Sequence, residues 1–585
     1  MSGSWVAALA LLLFFIGYRY YSKFLAEKIY RLNPDYMTPA HRFKDGLDYV
    51  PANKYVLWGH HFTSIAGAAP IVGPAIAVYW GWVPAMLWVV LGTIFAAGVH
   101  DFGTMVLSVR NKGQSVGVLA NKIVGHRAKI LFLFIILILV LMVNAVFAWV
   151  ISNLFISFPA SVLSIFIQIP LAVWVGYRAY RSTGSLVIPA VIVLFVMYFT
   201  AIVASYIPAL QIDLVRYFGG EGAAGIFGLS AVESSFLIWI VILMTYVYIA
   251  STLPVWMLLQ PRDLINSYQL ILGLAILYLG LFVISPEITA PPTNPDATDV
   301  NWFPLLFITI ACGAISGFHG LVSSGTTAKQ LDKETDARFI GYAGAIGEGT
   351  LALITIVAII TYFNTTGDFL EAYRSFDHAG AEGLNIFVEG AAHLATGLMI
   401  PMEAAQTIIA VIVISFAATT LDTSVRLMRY ILNELGHEYK VRPLTHLHAS
   451  TFLAVGSSAA LVLIPEGPHG FGSGGYILWP LFGTSNQLLA GISLLLVTIW
   501  LKRNGRSIIY TLVPMIFVLF MTIWAMAEQV IFDWSGWGEA DSNLLLFSFG
   551  AIILGFAIWI ILEAVAIVRR YSGGDEFDNS SGNSD

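Results

Sequence analysis

Six ionisable residues, His60, His61, Asp101, His319, Glu348 and Asp422, stand inside otherwise apolar stretches of the chain. Such groups are costly in a bilayer and are functional candidates by default. Asp101 follows His100 in AAGVHDFGTMVLSVR, about 14 Å of helix from the basic end at Arg110. A carboxylate at that depth is hard to keep charged, which suits a proton carrier, and Glu348, between glycines in GAIGEGTLA, is similarly placed. Asp422 in FAATTLDTSVRLMRY is a third proton-coupling candidate; Arg426 one helical turn on makes a structural ion pair an equal alternative. Helical neighbours point about 100° apart, so His60 and His61 cannot share one metal ion without a break. No HExxH pattern is present, and no metal is expected. Hydrogen-bonding or proton-exchanging histidines are the expectation.

The two adjacent histidines open GHHFTSIAGAAPIVGPAIAVY, an apolar run interrupted by Gly67, Pro70, Gly73 and Pro74. Two later runs, ACGAISGFHGLVSSGTT and GYILWPLFGTSNQLLAG, are interrupted in the same manner. Proline removes a backbone donor and glycine costs about 1 kcal/mol in a helix, so all three are expected to unwind. Unwound backbone at membrane depth must face protein or a water-filled cavity, and there transporters bind ions and substrate. The expected pathway is therefore His60, His61, Thr63, Ser64, Gly67, Pro70, Gly73 and Pro74, with Ser316, His319, Ser323, Ser324, Thr326 and Asn486. A sodium site from carbonyls of the first run and the hydroxyls of Thr419, Thr420 and Thr423 is an alternative coupling. Close helix packing competes for individual glycines: Gly313, Gly317 and Leu321 fit a small-residue face.

Of the 585 residues 58% are hydrophobic and 11% charged, with mean hydropathy +0.80, which marks an all-α polytopic membrane protein. The net charge of −6 says nothing of nucleic acid, and none is expected as a partner. Cys312, the single cysteine, excludes an intrachain disulfide and reads as a buried structural residue. A hydrocarbon core of about 30 Å asks for roughly 20 apolar residues. That rule finds about fifteen spans, near 5–22, 60–80, 84–109, 129–157, 159–181, 185–206, 236–259, 268–286, 303–325, 340–363, 402–431, 448–466, 476–501, 508–531 and 543–569.

Lys and Arg accumulate in alternate loops: 23–54, 110–129, then Arg178 and Arg181, Arg262, Lys329 to Arg338, Arg426 to Arg442, and Lys502 to Arg506. The intervening SPEITAPPTNPDATDVNW and FDWSGWGEADSN carry acids and no Lys or Arg. By the positive-inside rule the N-terminus is outside and the C-terminus cytoplasmic. The first run has no preceding basic residues or cleavage pattern, so it reads as an uncleaved extra helix over 1–24. Residues 506–570 hold the last helices, and the polar, acidic 571–585 read as a disordered cytoplasmic tail. Fourteen spans beyond the first divide seven and seven, a suggestion of inverted repeats, with five and five plus extra helices also open. GFGSGG at 470–475 lacks the strand that a dinucleotide site needs, and no Walker A sequence exists.

Over about 25–505 the sequence resembles the carbon starvation protein A (CstA) family of bacterial inner-membrane transporters. The resemblance rests on GHHFTSIAGAAPIVGPAIA, HDFGTMVLSVRNKGQSVG, LPVWMLLQPRDLINSY, FPLLFITIACGAISGFHGLVSSGTTAKQL, RFIGYAGAIGE, FAATTLDTSVRLMRYIL and LWPLFGTSNQLLA. It implies a secondary carrier of the amino acid, polyamine and organocation superfamily that takes up peptides or pyruvate when carbon is scarce, with ion coupling, no cofactor and no catalytic residues. Some relatives have Gln where this chain has His100. The expected function is proton-coupled import of a peptide or small carboxylate by alternating access. A channel-like pore, or a sodium-coupled carrier of another carboxylate or amino acid, is the alternative, and the oligomeric state is open. An intramembrane enzyme is disfavoured because no nucleophile and base fall together.

Overall fold

The computed structural model describes residues 1–46, 48–181, 187–465, 470–536 and 542–571. The expected C-terminal tail falls almost wholly outside the described residues. Twelve helices are long and apolar enough to cross a membrane: α1 (Gly3–Ile29), α4 (Trp82–Val109), α5 (His126–Ser157), α6 (Ala160–Arg181), α7 (Val187–Tyr206), α8 (Ala231–Thr252), α9 (Leu259–Ile284), α12 (Glu334–Ile360), α14 (Met402–Glu438), α16 (Trp479–Arg503), α17 (Ile509–Asp533) and α18 (Leu544–Tyr571). A thirteenth span is the bent pair α2 (Lys54–Ile65) and α3 (Ala69–Trp80). The other two of the fifteen expected spans are α15 (Leu447–Leu463), only 17 residues long, and a segment in pieces, α10 (Trp302–Thr309), a turn at Ala311–Ala314 and α11 (Gly317–Gly325). Among the described residues β-structure is confined to three isolated bridges. The chain is an all-α, multi-pass membrane protein.

Burial orders these helices. In α14 and α16, 94% of the apolar window is inside the protein, against 33% in α1 and 22% in α18, so the first two are the axis and the last two the rim. The lysine- and arginine-rich loops meet at one end. There Arg110 grips the buried Glu334 at 2.6 and 3.2 Å, Lys129 reaches Glu434 at 3.2 Å, and Arg503 donates to the Ile123 carbonyl at 2.7 Å. At the opposite, acidic end Gly3 N–H bonds the Pro286 carbonyl and Phe376 N–H bonds Asp299, both at 2.9 Å.

Two breaks match expectation and one does not. The first falls at Ala66–Ala68, where α2 and α3 meet at 49°, with Pro70 in the first turn of α3 rather than at the break itself. Proline is tolerated in a first turn because the N–H it lacks has no helical partner there. The second falls at Ile310–Ser316, where Gly313 adopts φ +104°, a left-handed conformation that side chains rarely take. The expected interruption in 476–501 is absent: α16 is continuous because Pro480 again occupies a first turn. Its Gly483 and Gly491 pack closely against Ile308 and Leu519 instead.

The two broken segments touch. Gly73 of α3 lies directly on the Thr309 carbonyl, and Gly313 faces Pro70 and Ala352. A side chain at Gly73 would overlap that backbone oxygen, which cannot rotate away. Gly73→Val is expected to lower stability by about 1–3 kcal/mol, read as an earlier thermal transition in detergent.

One helix was absent from the expected spans. The 21-residue α13 (Phe376–Thr396) carries Asp377, Glu382, Glu389 and two histidines, so it is not apolar enough to register as a crossing. Its N-terminal end meets Trp80 and Tyr476, and at its other end Gly397 meets Ile284. Its middle touches Ala75 through Gly383 and Ala358 through Gly390. All of these partners lie toward the acidic end, so α13 lies across that end and the alternation of loops survives it.

Candidate functional site

The second half of the second broken segment, α11, carries His319 into the bundle axis. Its Nδ1 lies 2.9 Å from Oδ2 of Asp101 on α4, and its Nε2 lies 3.2 Å from Oε1 of Glu348 on α12. The other oxygen of Asp101 accepts from Nδ1 of His100 at 2.7 Å. All four side chains are buried, and neither Glu348 oxygen has a well-aligned hydrogen bond. An imidazole held between two carboxylates in a buried site can take up or release one proton with a full unit change in local charge. Asp101, His319 and Glu348 sit on three different helices, so any charge on them acts between elements rather than within one.

The start of α11 is held by Asn486 of α16. Its Oδ1 accepts from Phe318 N–H at 2.9 Å and from Ser316 Oγ at 3.3 Å, while Nδ2 donates to Cys312 Sγ at 2.9 Å. Asn486 thus satisfies a helix end that has no cap of its own, and Cys312 is part of that network. Asn486→Leu leaves a buried N–H and a buried hydroxyl unpaired. It is expected to cost about 1–3 kcal/mol, measured by thermal unfolding in detergent.

His60 and His61 diverge as their helical angle requires. His60 Nδ1 pairs with Asp263 of α9 at 2.8 Å, and His61 Nδ1 lies 3.0 Å from Thr327 Oγ1, just past α11. Among the described residues no group of three or more His, Cys, Asp or Glu has the geometry to hold a metal ion. Thr63, Ser324 and Thr326 donate to carbonyls four residues back in their own helices, and Ser323 Oγ is buried without a partner. A cavity of about 310 Å³ opens at the basic end and reaches His60 and Ser64, with Leu321 and Gly325 of α11 and the following Thr326 on its wall. An adjoining cavity of about 520 Å³ shares His60 and Arg426. The half-helix α11 therefore carries His319 of the buried His–carboxylate cluster and also forms part of the cavity wall.

The sequence profile described as "Carbon starvation protein CstA" matches this chain over residues 2–375 and 370–525. The chain belongs to the CstA family. It is 32% identical to a protein of Campylobacter jejuni named "Peptide transporter CstA", over 91% of this chain and 81% of that one. It is also 32% identical to the Escherichia coli protein named "Pyruvate/proton symporter BtsT", over 91% and 82%. A Bacillus subtilis protein named "Peptide transporter CstA" is 29% identical over 95% of both chains. The CstA profile is wider at both ends than the 25–505 carried by the motifs alone.

In this CstA-family chain the expected pairing of Asp422 with Arg426 is replaced. Asp422 is ion-paired with Arg262 of α9, and the Tyr246 hydroxyl of α8 bonds the same oxygen at 2.8 Å. The basic-loop pattern places Arg262 in a loop, ahead of a span from 268. In fact α9 begins at Leu259, Pro261 lies in its first turn, and Arg262 is only 1% exposed. The Pro-Arg-Asp sequence at 261–263 was the available signal, a helix start carrying two charges inward. The three threonines face different neighbours. Thr419 accepts from Asn266 at 2.5 Å, Thr420 lies against Gly67 at the break with its hydroxyl unpartnered, and Thr423 lines the cavity.

Proposed function

We propose that this chain is a secondary transporter that couples inward proton movement to import of short peptides or pyruvate by alternating access. The observation that carries the reading is the buried Asp101–His319–Glu348 cluster, seated on a half-helix that also walls the cavity. Protonation there changes the electrostatic hold of α4 and α12 on α11. A shift of α11 alters the cavity, and its tie through Thr327 to His61 carries the shift to α2. Relatives named as peptide transporters and as a pyruvate/proton symporter support both cargo classes and the coupling ion. The basic end is taken as cytoplasmic, with the N-terminus outside, in the bacterial inner membrane. The two broken segments are taken as equivalent members of inverted repeats.

The test is uptake of labelled pyruvate and dialanine into proteoliposomes, each competing with the other, under proton and sodium gradients imposed separately. Accumulation is expected with the proton gradient alone. Uptake that needs sodium, or that only equilibrates and shows no counterflow, contradicts the reading.

A further inference from the structure

We propose that Arg426 is the residue on which the cargo's carboxylate docks in the cavity at the basic end. The inference rests on the proposed import of a peptide or pyruvate and names the group that both share. Arg426 lies on α14 and is 8% exposed. Because Asp422 is taken by Arg262, Arg426 has no carboxylate partner among the described residues. Its Nη2 donates to the carbonyls of Ala250 and Leu253, at 3.0 and 2.8 Å, at the end of α8. Its Nε is buried with no hydrogen bond at all.

The other charges on the same wall are matched. Asp263 pairs with His60 at 2.8 Å, Glu434 with Lys129 at 3.2 Å, and Asp48 lies 3.8 Å from Lys329. Arg426 is left as the wall's cation with no carboxylate bonded to it, its neighbour Asp422 being held by Arg262. A buried guanidinium bonded only to backbone carbonyls gains from an anion that completes it, and its fork matches a carboxylate. Ser64, at the last turn of α2 on the same cavity, is 1% exposed and its hydroxyl has no partner, so a second donor is present. A volume of about 310 Å³ lies in the range of small-ligand pockets. Helix capping alone does not explain Arg426. Arg429 performs that role with one bond to the Ser251 carbonyl at 2.7 Å, and it does not line the cavity.

The experiment compares half-saturation for pyruvate, dialanine and dialanine amide, which lacks the carboxylate, in proteoliposomes of wild type, Arg426→Gln, Arg426→Lys and Arg429→Gln. Arg426→Gln is expected to raise half-saturation for pyruvate and dialanine by about tenfold or more, with a smaller rise in Arg426→Lys and none in Arg429→Gln. Wild type should favour dialanine over its amide by a similar factor, and Arg426→Gln should lose that preference. An unchanged half-saturation in Arg426→Gln, or a preference for the free carboxylate that survives in it, overturns the assignment while leaving the transport function intact. If Arg426→Gln does not fold, the wild type decides: equal use of dialanine and its amide overturns the proposal, and preference for dialanine together with a weakened Arg426→Lys supports it. Wild type that transports neither pyruvate nor dialanine refutes the cargo reading itself and this inference with it.

Discussion

The Asp101→Asn protein is expected to exchange substrate across proteoliposomes but not to concentrate it under an imposed proton gradient. Asparagine keeps the shape of aspartate and can still meet His100 and His319, which approach its two carboxylate oxygens at 2.7 and 2.9 Å. What it removes is the titratable carboxylate at the centre of the cluster. A gradient of one pH unit is about 1.4 kcal/mol per proton, enough for about tenfold accumulation of a neutral cargo carried with one proton. Wild type should approach that ratio and the variant should stay at the level of simple equilibration. Counterflow should persist, because exchange requires the cargo-loaded carrier to reorient but no net movement of protons. If Asp101→Asn still concentrates substrate, the coupling acid is elsewhere, and Glu348→Gln is the next variant to measure.

The second large effect is one of stability. Asp422→Ala leaves Arg262, 1% exposed, without its bonded carboxylate, and removes the acceptor of the Tyr246 hydroxyl. Removing one member of a buried pair typically costs about 3–5 kcal/mol, against a total stability of about 5–15 kcal/mol. The single variant should therefore be poorly recovered and unfold early in detergent, while the double variant Arg262→Met with Asp422→Leu should recover most of the loss. This outcome assigns the Arg262–Asp422 pair to holding α8, α9 and α14 together. If instead Asp422→Asn is as stable as wild type but cannot accumulate substrate, Asp422 is a proton carrier, as its position in the sequence alone had allowed.

The unequal legibility of the sequence has physical causes. Most span positions and the meeting of basic loops at one end follow from hydropathy and charge, which act locally along the chain, whereas twelve helices, thirteen spans with the bent pair, are long and apolar enough to cross, not fifteen. The breaks at Gly67 and Gly313 were visible because small residues cluster there, whereas Pro480 misled because proline at a helix start and proline at a break look alike in one dimension. Helix α13 was hidden by its mixed character. Leu384, Phe387, Val388 and Ala391 are buried at helical spacing, but the acids between them dilute any hydropathy window. The ionisable residues were easy to find and their partners were not. Arg262 and Asp422 are 160 positions apart, and the nearest basic residue in sequence, Arg426, proved to be the wrong one.

The central claim is that proton entry and cargo entry are one event, coupled through Asp101, His319 and Glu348. It is tested most directly by trapping a pH-sensitive dye inside proteoliposomes, with no proton gradient imposed, and adding dialanine or pyruvate outside. The account predicts that cargo addition acidifies the lumen of wild-type vesicles and leaves the lumen of Asp101→Asn vesicles unchanged although labelled substrate still exchanges. Cargo uptake by wild type with no change in internal pH, or equal acidification in the variant, would contradict it.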